Sequence, residues 1–398
     1  MAAPAGGPRA GGASTRATLS VTLAWLSLLA GANLPTPLYL LYERRFHLSS
    51  VGVTLIFATY ALVLMPSLLF FGQLSDRIGR RSTIAAGLGS AMVGLLLFAL
   101  ADSTAWLFVA RGFQGLAVGM ISGSATAALV ELDPDHDPRR AALPAGLAQA
   151  GGGSGGALLA GLLGQFAPAP MTLCYLVMLA LTAAAAVTVL VQPQGPRHHA
   201  RAWRVQRPSV PGPIRVPFAR VGITGAAVWA VAALFFAVVP TYASELLRSR
   251  NLALLGSIAA TMLATSCIAQ LTVRRARSTN TAQVGGLTLL VAGLALLVAA
   301  FPLRSLPILV LAALFGGAGH GWAFVAAQTA LNDIAPDDRR GEVSAAFYVC
   351  IYLGVAVPVI SVGMVAAVSS LFTAVAIFAG VVGSAALANA VGLARKRL

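Results

Sequence analysis

The sequence FGQLSDRIGRR, residues Phe71–Arg81, is a short charged gap between two long apolar runs. It contains one acid, Asp76, and three arginines, in a 398-residue chain that is 58% hydrophobic and only 10% charged. So few polar residues cannot cover the surface of a soluble protein of this length, and the composition therefore indicates a membrane protein. In such a chain, the gap predicts a tight loop between two membrane spans.

Apolar runs of about 20 residues, the length that crosses ~30 Å of hydrocarbon, recur on both sides of this loop. They lack the alternation of a membrane β-barrel, so we expect α-helices. The predicted fold class is all-α and integral to the membrane, with twelve transmembrane helices. The predicted spans are residues 18–42, 51–71, 82–101, 105–130, 141–165, 170–192, 218–242, 251–271, 282–301, 304–332, 342–366 and 369–392.

The segment 193–217 is a long polar interruption rich in proline and arginine, which predicts a linker on the cytoplasmic surface. It separates an N-terminal bundle, residues 1–192, from a C-terminal bundle, residues 218–398. Shifting the chain by about 200 residues places AQLTVRRAR on GQLSDRIGR and Gly319 on Gly119. This repeat predicts two like-oriented bundles of six helices (6+6) with a central cavity between them.

The formal net charge of +15 is compatible with nucleic-acid binding, but the arginines are spread over loops between apolar spans. With the N-terminus inside the cell, the predicted cytoplasmic segments hold most of the 27 Lys and Arg residues. This distribution obeys the positive-inside rule. We therefore expect a multi-pass protein of the plasma membrane with both termini in the cytoplasm, a lipid environment and no nucleic-acid partner.

Two motifs resemble signatures of the major facilitator superfamily. GQLSDRIGRR is similar to that family's signature in the loop between helices 2 and 3, and RGFQGLAVG is similar to its helix 4 signature. The resemblance implies a secondary transporter that works by alternating access, nearest to the bacterial drug-efflux-like subgroup. The matching positions are Gly72, Leu74, Asp76, Arg77, Gly79, Arg80 and Arg81 in the loop, and Arg111, Gln114, Gly115 and Gly119 in helix 4.

The loop motif has a physical interpretation of its own. Gly72 allows close approach of a neighbouring helix, and Gly79 permits a tight turn. Asp76 lies where it can accept hydrogen bonds from free N–H groups at the start of span 11, residues 341–344. The resemblance implies that this contact is a conformational latch between the two halves. The alternative is a solvated loop that only sets the topology, and Val273 replaces the acid in the second half.

Arg111 lies inside a predicted span, where a charge is costly unless it faces protein, water or a partner. One alternative is that it reaches the outer interface beside Trp106. The other, which the resemblance favours, is that Arg111 and Gln114 organise the proton-coupling or substrate region. Glycines at positions 115, 119 and 123 predict a groove for helix packing.

Span 5 carries a glycine-rich run, QAGGGSGG, where antiporters of this superfamily show a glycine and proline pattern. Gly151 and Gly155 match that pattern, but Gly156 stands where the proline belongs. We expect the run to allow sliding contact with a helix of the other half. The candidate cavity lining comprises Asn33, Thr36, Gln149, Trp229, Phe236, His320, Phe324, Gln328, Tyr348 and Tyr352.

The sequence has no P-loop, dinucleotide fingerprint or zinc-ligand spacing, so we expect no enzyme activity, cofactor or metal. The predicted function is export of a small amphipathic organic solute by a monomer, with proton antiport as the energy source. No acid lies near the middle of a span, so coupling would use Arg111, His320 or an interfacial acid such as Glu131. The alternatives are a uniporter or importer of a polar metabolite and a membrane sensor or assembly factor that does not transport.

Overall fold

In a computed structural model of the protein, the described residues are 9–133, 135, 138–192, 207–273 and 278–395. Within these ranges, the side chains of residues 9–14, 72–74, 76, 138–139, 141–143, 150 and 337 lie outside the description. The described residues form α-helices and no strand. The helices are α1 Arg9–Asn33, α2 Pro35–Phe46, α3 Ser50–Ile78, α4 Arg80–Ala99, α5 Thr104–Glu131, α6 Pro138–Phe166, α7 Pro170–Leu190, α8 Arg215–Ala237, α9 Val239–Leu247, α10 Leu252–Thr272, α11 Thr279–Ala300, α12 Leu306–Ile334, α13 Arg340–Val368 and α14 Leu371–Arg395.

Eleven segments within the described residues are long and apolar enough to cross a membrane. This confirms the prediction of an all-α membrane protein. Helix α6 contains the predicted span 141–165 but is not among the eleven, so the twelfth span and the 6+6 arrangement stay predictions. Helix α8 begins at Arg215, inside the segment predicted to be linker. Its proline, Pro217, lies in the first turn, where no intrahelical N–H is needed.

The first helix of each half is interrupted within its predicted span, although Thr15–Phe46 still forms one membrane-crossing segment and Leu34 keeps α-helical dihedral angles. Helices α1 and α2 are separated at Leu34, and α8 and α9 at Val238. Pro35 and Pro240 follow these breaks by one and two residues. Because proline has no N–H for the carbonyl four residues earlier, each leaves a backbone oxygen without its helical donor. Both breaks thus expose acceptor groups inside the bundle.

The internal repeat is visible in the packing of α5 on α3 and of α12 on α10. A Cβ on Gly115 would lie 2.5 Å from the Tyr60 carbonyl oxygen, and a Cβ on Gly317 would overlap the Met262 carbonyl oxygen. Each residue of the second pair lies 202 positions after its counterpart in the first. Backbone contact of this closeness excludes any side chain at either glycine, so the same helix crossing occurs in both halves.

This register corrects one detail of the predicted repeat. The shift of 202 matches Gly119 with Gly321, and these two glycines face Ser67 of α3 and Ser266 of α10 respectively. Gly319, the partner predicted for Gly119, instead faces Leu290 of α11. Positions two residues apart on an α-helix differ in direction by about 200°, so Gly319 and Gly321 point to opposite sides of α12.

The two halves meet along α3 with α13 and along α6 with α10. Both contacts are tight at one end of the bundle, where α2 connects to α3. We call this end the far end. There, a Cβ on Gly363 would overlap the Thr54 hydroxyl, and one on Gly161 would lie 2.7 Å from the Leu252 carbonyl oxygen. Glycine on both seams lets the helices touch backbone to backbone, which closes the far end.

Candidate functional site

The break between α1 and α2 is held by two side chains of α5. Pro35 removes the helical donor of the Gly31 carbonyl, and Gln114 Nε2 donates to that oxygen at 2.9 Å. Arg111 Nη1 donates to the next carbonyl, Ala32, at 2.7 Å and to Gln114 Oε1 at 2.8 Å. Gln114 of α5 therefore replaces the hydrogen bond that Pro35 denies to Gly31, and Arg111 adds one to Ala32.

Arg111 is sealed inside the first half, with 1% of its surface exposed. Its Nε donates to the Tyr39 hydroxyl at 2.9 Å, and Nη2 donates to the same oxygen. Oxygen dipoles and aromatic faces stabilise the charge, and no Asp or Glu is paired with it among the described residues. This burial excludes the alternative that Arg111 reaches the interface beside Trp106. The rings around its guanidinium, 5.5 to 5.8 Å away, are Tyr39, Phe57, Tyr60 and Phe98.

The glycines of α5 set the distance between that arginine and α3. Gly115 packs on the Tyr60 backbone and Gly119 on Ser67, whereas Gly123 is exposed. Any larger residue at the first two positions would push α3 away, and with it the Tyr60 ring that covers Arg111. These two glycines therefore act in packing.

The charged loop within Phe71–Arg81 is a tight turn between α3 and α4. Gly79 has φ of 95°, and its N–H donates to the Ser75 carbonyl, which ends α3. Only glycine adopts this conformation without strain. Arg77 is exposed. The surroundings of Gly72 and the side chain of Asp76 lie outside the described residues, so the latch stays a prediction.

The other two loop arginines bind helix ends within the same half. Arg80 donates from Nε and Nη2 to Glu131 Oε1 at 3.2 and 3.1 Å, which joins the loop to the end of α5. Arg81 donates to the Leu190 carbonyl in the last turn of α7. Cations at helix C-termini are favourable because of the helix dipole. The loop is thereby tied to its own bundle.

A second polar group lies in the C-terminal half, where α8, α10 and α12 meet. His320 is 2% exposed, and its Nδ1 lies 2.8 Å from Ser266 Oγ. The Trp229 ring stands nearly perpendicular to the imidazole with centroids 5.3 Å apart, and Phe324 lies 5.6 Å from Trp229. His320 Nε2 and Trp229 Nε1 are buried without a partner among the described residues.

Tyrosines connect this group with the first half. Tyr348 hydrogen-bonds Gln328 and stacks on Tyr352 at 6.5 Å. Tyr352 and Tyr60 both pack against an apolar cluster that consists of first-half residues, and Tyr60 lies 5.8 Å from the Arg111 guanidinium. Tyr60 therefore covers Arg111 on one side and packs, like Tyr352 of the second half, against the same apolar cluster.

The remaining predicted lining residues have separate environments. Asn33 Nδ2 donates to the Leu29 carbonyl of its own helix at 2.9 Å. Thr36 is buried with an unpaired hydroxyl, and Gln149 is exposed. Phe236 is buried within the main hydrophobic core. Of these four, none joins the group around His320.

Three residues of the site were missed by sequence reasoning: Tyr39, Tyr60 and Ser266. Tyr39 was detectable, because a buried arginine needs oxygen acceptors and this tyrosine follows the proline-rich break by one turn. Tyr60 and Ser266 gave no signal, since their roles depend on which helix faces which. Both lie on helices that the glycines of α5 and α12 bring close.

The glycine run of α6 contacts two different helices. Gly156 packs on the Ala30 backbone and Gly151 on Leu26, both in α1 of the same half. Gly153 faces Leu263 of α10, in the other half. Within the run, Gly153 thus makes the predicted contact with a helix of the other half, whereas Gly151 and Gly156 pack inside their own half; sliding at this contact stays a prediction.

The described residues contain no cluster of three His, Cys, Asp or Glu side chains that could hold a metal. A cavity of about 170 Å³ lies at the far end, between α2, α6 and the start of α10. Its polar lining consists of Arg44, Gln165 and Arg250, so it is separate from the aromatic region at the centre.

Comparison with known proteins agrees with this architecture. The sequence matches the family model described as Major Facilitator Superfamily over residues 21–359. The quinolone resistance protein NorA of Staphylococcus aureus is 27% identical over 109 residues. That match covers 27% of this chain and 28% of NorA, so the aligned region spans about a quarter of either protein.

Solved transporter structures share the fold over nearly the whole chain. A mutant of the nucleoside transporter NupG is 15% identical with a TM-score of 0.72, covering 94% of this chain and 98% of that one. A POT family transporter in complex with 5-aminolevulinic acid is 13% identical with a TM-score of 0.76, covering 94% and 95%. A bacterial homolog of the human lysosomal transporter Spinster, inward-facing and unoccupied, is 15% identical with a TM-score of 0.72, covering 98% and 96%.

Proposed function

The chain belongs to the Major Facilitator Superfamily, and we propose that it exports a small amphipathic organic solute by alternating access, in exchange for protons. We further propose that α6 is the twelfth span, which gives six helices in each of residues 1–192 and 218–398. On this proposal both termini and the linker 193–217 lie in the cytoplasm, and the protein acts as a monomer in the plasma membrane.

The observation that carries the proposal is the aromatic region shared by the two halves. Trp229, Phe324, Tyr348 and Tyr352 pack against one second-half cluster, and Tyr352 also packs against the first half. A solute held there would contact both halves, as alternating access requires. The rings supply apolar contact area and a few polar atoms, which suits an amphipathic solute better than a highly charged one.

Arg111 is proposed to act on the helix break, since it is sealed from the aromatic region. It bonds Ala32 and Tyr39, on either side of Leu34 where the chain leaves α1. A rocking motion of α1 and α2 would have to keep or break these bonds. Arg111 would thereby link movement of the first span to the rest of its bundle.

The acid best placed for proton coupling is Glu43 in α2. It is half-buried near the far end, and its Oε1 accepts a hydrogen bond from Thr241 Oγ1 of α9, in the other half, at 3.2 Å. Glu245 and Arg44 lie close enough to act on its charge. Opening the far end would separate Glu43 from Thr241, so protonation of this carboxyl is linked to the conformational change.

A uniporter is the second candidate. The 11 acids within the described residues lie in loops or near helix ends, so that part of the chain places no carboxylate at the centre of the bundle to carry a proton across. A local match to NorA supports export, whereas the similar fold of the nucleoside transporter NupG is compatible with uptake. The proposal of export therefore depends on a direct measurement.

The test is transport in proteoliposomes with and without an imposed pH gradient, screened across organic solutes. We expect transport to follow the gradient, Glu43→Gln to abolish that dependence, and Arg111→Ala to slow transport in either direction. Asp76→Asn should slow it about tenfold, because a carboxylate at a helix N-terminus contributes up to ~2 kcal/mol. The control is Asp102→Asn, which changes an exposed acid in the α4–α5 loop.

Each outcome bears on a different part of the proposal. Equal rates for wild type and Asp76→Asn would refute the latch. Transport that ignores the gradient would refute proton exchange and favour the uniporter. Failure to move any solute in the presence of correctly folded protein would refute transport itself.

A further inference from the structure

We infer that Trp229 and His320 are the hydrogen-bond donors of a substrate subsite that takes planar aromatic compounds bearing an acceptor oxygen, neutral or anionic and not cationic. The inference rests on the proposed transport function and names the chemical class of solute that the central aromatic region recognises. It depends on two unpaired donors, on the rings that surround them, and on the lack of an acid nearby.

Ser266 fixes the orientation of the donor on His320. Ser266 Oγ lies 2.8 Å from His320 Nδ1 and accepts a hydrogen bond from Gln270 Nε2 at 3.4 Å. The Ser266 hydroxyl has no other acceptor among the described residues, so we assign its proton to the bond with the imidazole, in which Nδ1 accepts. In a neutral imidazole the other nitrogen then carries the proton, so Nε2 is a donor. That atom is buried and has no partner among the described residues.

Trp229 presents the second donor. An indole nitrogen only donates, and Trp229 Nε1 is also buried without a partner in the described part of the chain. Its ring lies 5.3 Å from the His320 ring. Buried donors are rarely left unpaired in native proteins, because each costs the loss of its hydration. An acceptor oxygen on a ligand would satisfy both.

The surroundings of these donors select an aromatic and non-cationic ligand. Phe324 lies at 84° to Trp229 and stacks with His320 at 28°, so the three rings form a corner with flat walls. A planar ring can lie against such walls by stacking or edge contact. The acids that the structure describes lie near helix ends or in loops. A cationic ligand would therefore find two donors and no carboxylate here.

The internal repeat shows that this arrangement is specific to the second half. Trp25 and Trp229 each lie nine residues before the helix break of their half. The position matching His320 is Val118. Trp25 and Val118 are both buried in one apolar cluster. Trp25 Nε1 is, like Trp229 Nε1, buried without a partner among the described residues. Val118 stands where the second half has an imidazole, so the pair of neighbouring donors belongs to the second half.

The test uses three water-soluble probes that share one ring system: 2-naphthamide, 2-naphthoate and 2-naphthylmethylammonium. Binding to the full-length protein in lipid nanodiscs is measured by titration calorimetry, and empty nanodiscs correct for partition into lipid. We expect the amide and the carboxylate to bind about tenfold more tightly than the ammonium. Trp229→Phe keeps the aromatic wall and removes one donor, so it should weaken the amide about fivefold and leave the ammonium unchanged.

Two variants make the expectation specific. His320→Phe should act like Trp229→Phe, because it removes the other donor and keeps a ring. Trp322→Phe is the matched control: it makes the same substitution in α12, but Trp322 Nε1 already donates to Thr272 at 2.9 Å. We expect it to change none of the three affinities. Size-exclusion profiles confirm that each variant is folded.

Several results would overturn the inference. Equal affinities for the three probes, tighter binding of the ammonium, or equal weakening of all three probes by Trp229→Phe would each show that the donors do not recognise an acceptor. An effect of Trp322→Phe as large as that of Trp229→Phe would do the same. Transport assays distinguish failure of the subsite from failure of the proposed transport. If the protein moves solutes but does not prefer the amide and the carboxylate over the ammonium, only the subsite inference fails. If the probes bind as expected but no solute crosses, the proposed transport fails.

Discussion

The bond between Tyr39 and Arg111 gives the sharpest test of how the buried charge is stabilised. The Tyr39 hydroxyl accepts from Nε of Arg111 at 2.9 Å and also from Nη2. Both side chains are almost completely buried, so Tyr39→Phe leaves two guanidinium N–H groups facing aromatic carbon. Hydrogen bonds to charged groups contribute about 1.5–3 kcal/mol each. We expect the variant to lose about 3 kcal/mol of unfolding free energy.

Tyr42→Phe is the matched control for this prediction. Tyr42 lies three residues further along α2, is equally buried, and donates to the Tyr175 hydroxyl at 2.9 Å. That bond joins two neutral groups, so its loss should cost about 1 kcal/mol. The two variants should therefore differ by about 2 kcal/mol, or roughly 30-fold in the unfolding equilibrium constant.

The assay is equilibrium unfolding in mixed micelles, followed by tryptophan fluorescence for wild type and both variants. A cost for Tyr39→Phe equal to that for Tyr42→Phe would refute the reasoning, because the charge would then not depend on the Tyr39 oxygen. A Tyr39→Phe variant as stable as wild type would refute it more strongly. Either result would mean that the aromatic faces and the Ala32 carbonyl suffice to hold Arg111.

Two further predictions concern packing and the charged loop. Gly156→Ala should destabilise the protein by several kcal/mol, since its Cβ would overlap the Ala30 carbonyl oxygen and α6 would have to move away from α1; Gly155→Ala, with open space around its Cβ, should be neutral in the same unfolding assay. A double-mutant cycle on Arg80 and Glu131 should give a coupling of only about 0.5 kcal/mol, because the two side chains are 22% and 41% exposed and water screens the pair. A coupling several times larger would mean that the loop is held by this contact.

The helical fold was predictable because hydropathy alone separates spans from loops, but the interruptions in spans 18–42 and 218–242 were not recognised. The signals were present as Pro35 and Pro240. In membrane helices, however, proline is common and is often accommodated as a kink, so its presence does not decide between a bend and a break. Pro217 shows the reverse case: its composition favours the linker, and the structure places it in the first turn of α8.

The site was predictable where it depended on spacing within one helix. Arg111 and Gln114 are three residues apart, so their contact follows from helix geometry. The bond from Arg111 to Tyr39 was not predictable, because Tyr39 lies in α2 and the sequence does not show in which direction α2 runs after Leu34. The glycines of α6 show the same limit: Gly153 and Gly156 face different helices in different halves. Sequence identifies them as small residues but does not say what they touch.

The repeat gives the two halves the same backbone contacts and different chemistry. In the register of 202 residues, Arg111 corresponds to Ala313, and His320 corresponds to Val118. Arg111 and His320 are thus each present in one half and replaced by an apolar residue in the other. Arg111 makes four hydrogen bonds, three of them to Ala32 and Tyr39 on either side of the α1–α2 break, whereas His320 and Trp229 each keep an unpaired nitrogen. A group whose donors are already used holds structure, and a group with unused donors is available to a ligand. On the proposals made for Arg111 and for His320 with Trp229, the first half would govern movement of its first span, and the second half would recognise the solute.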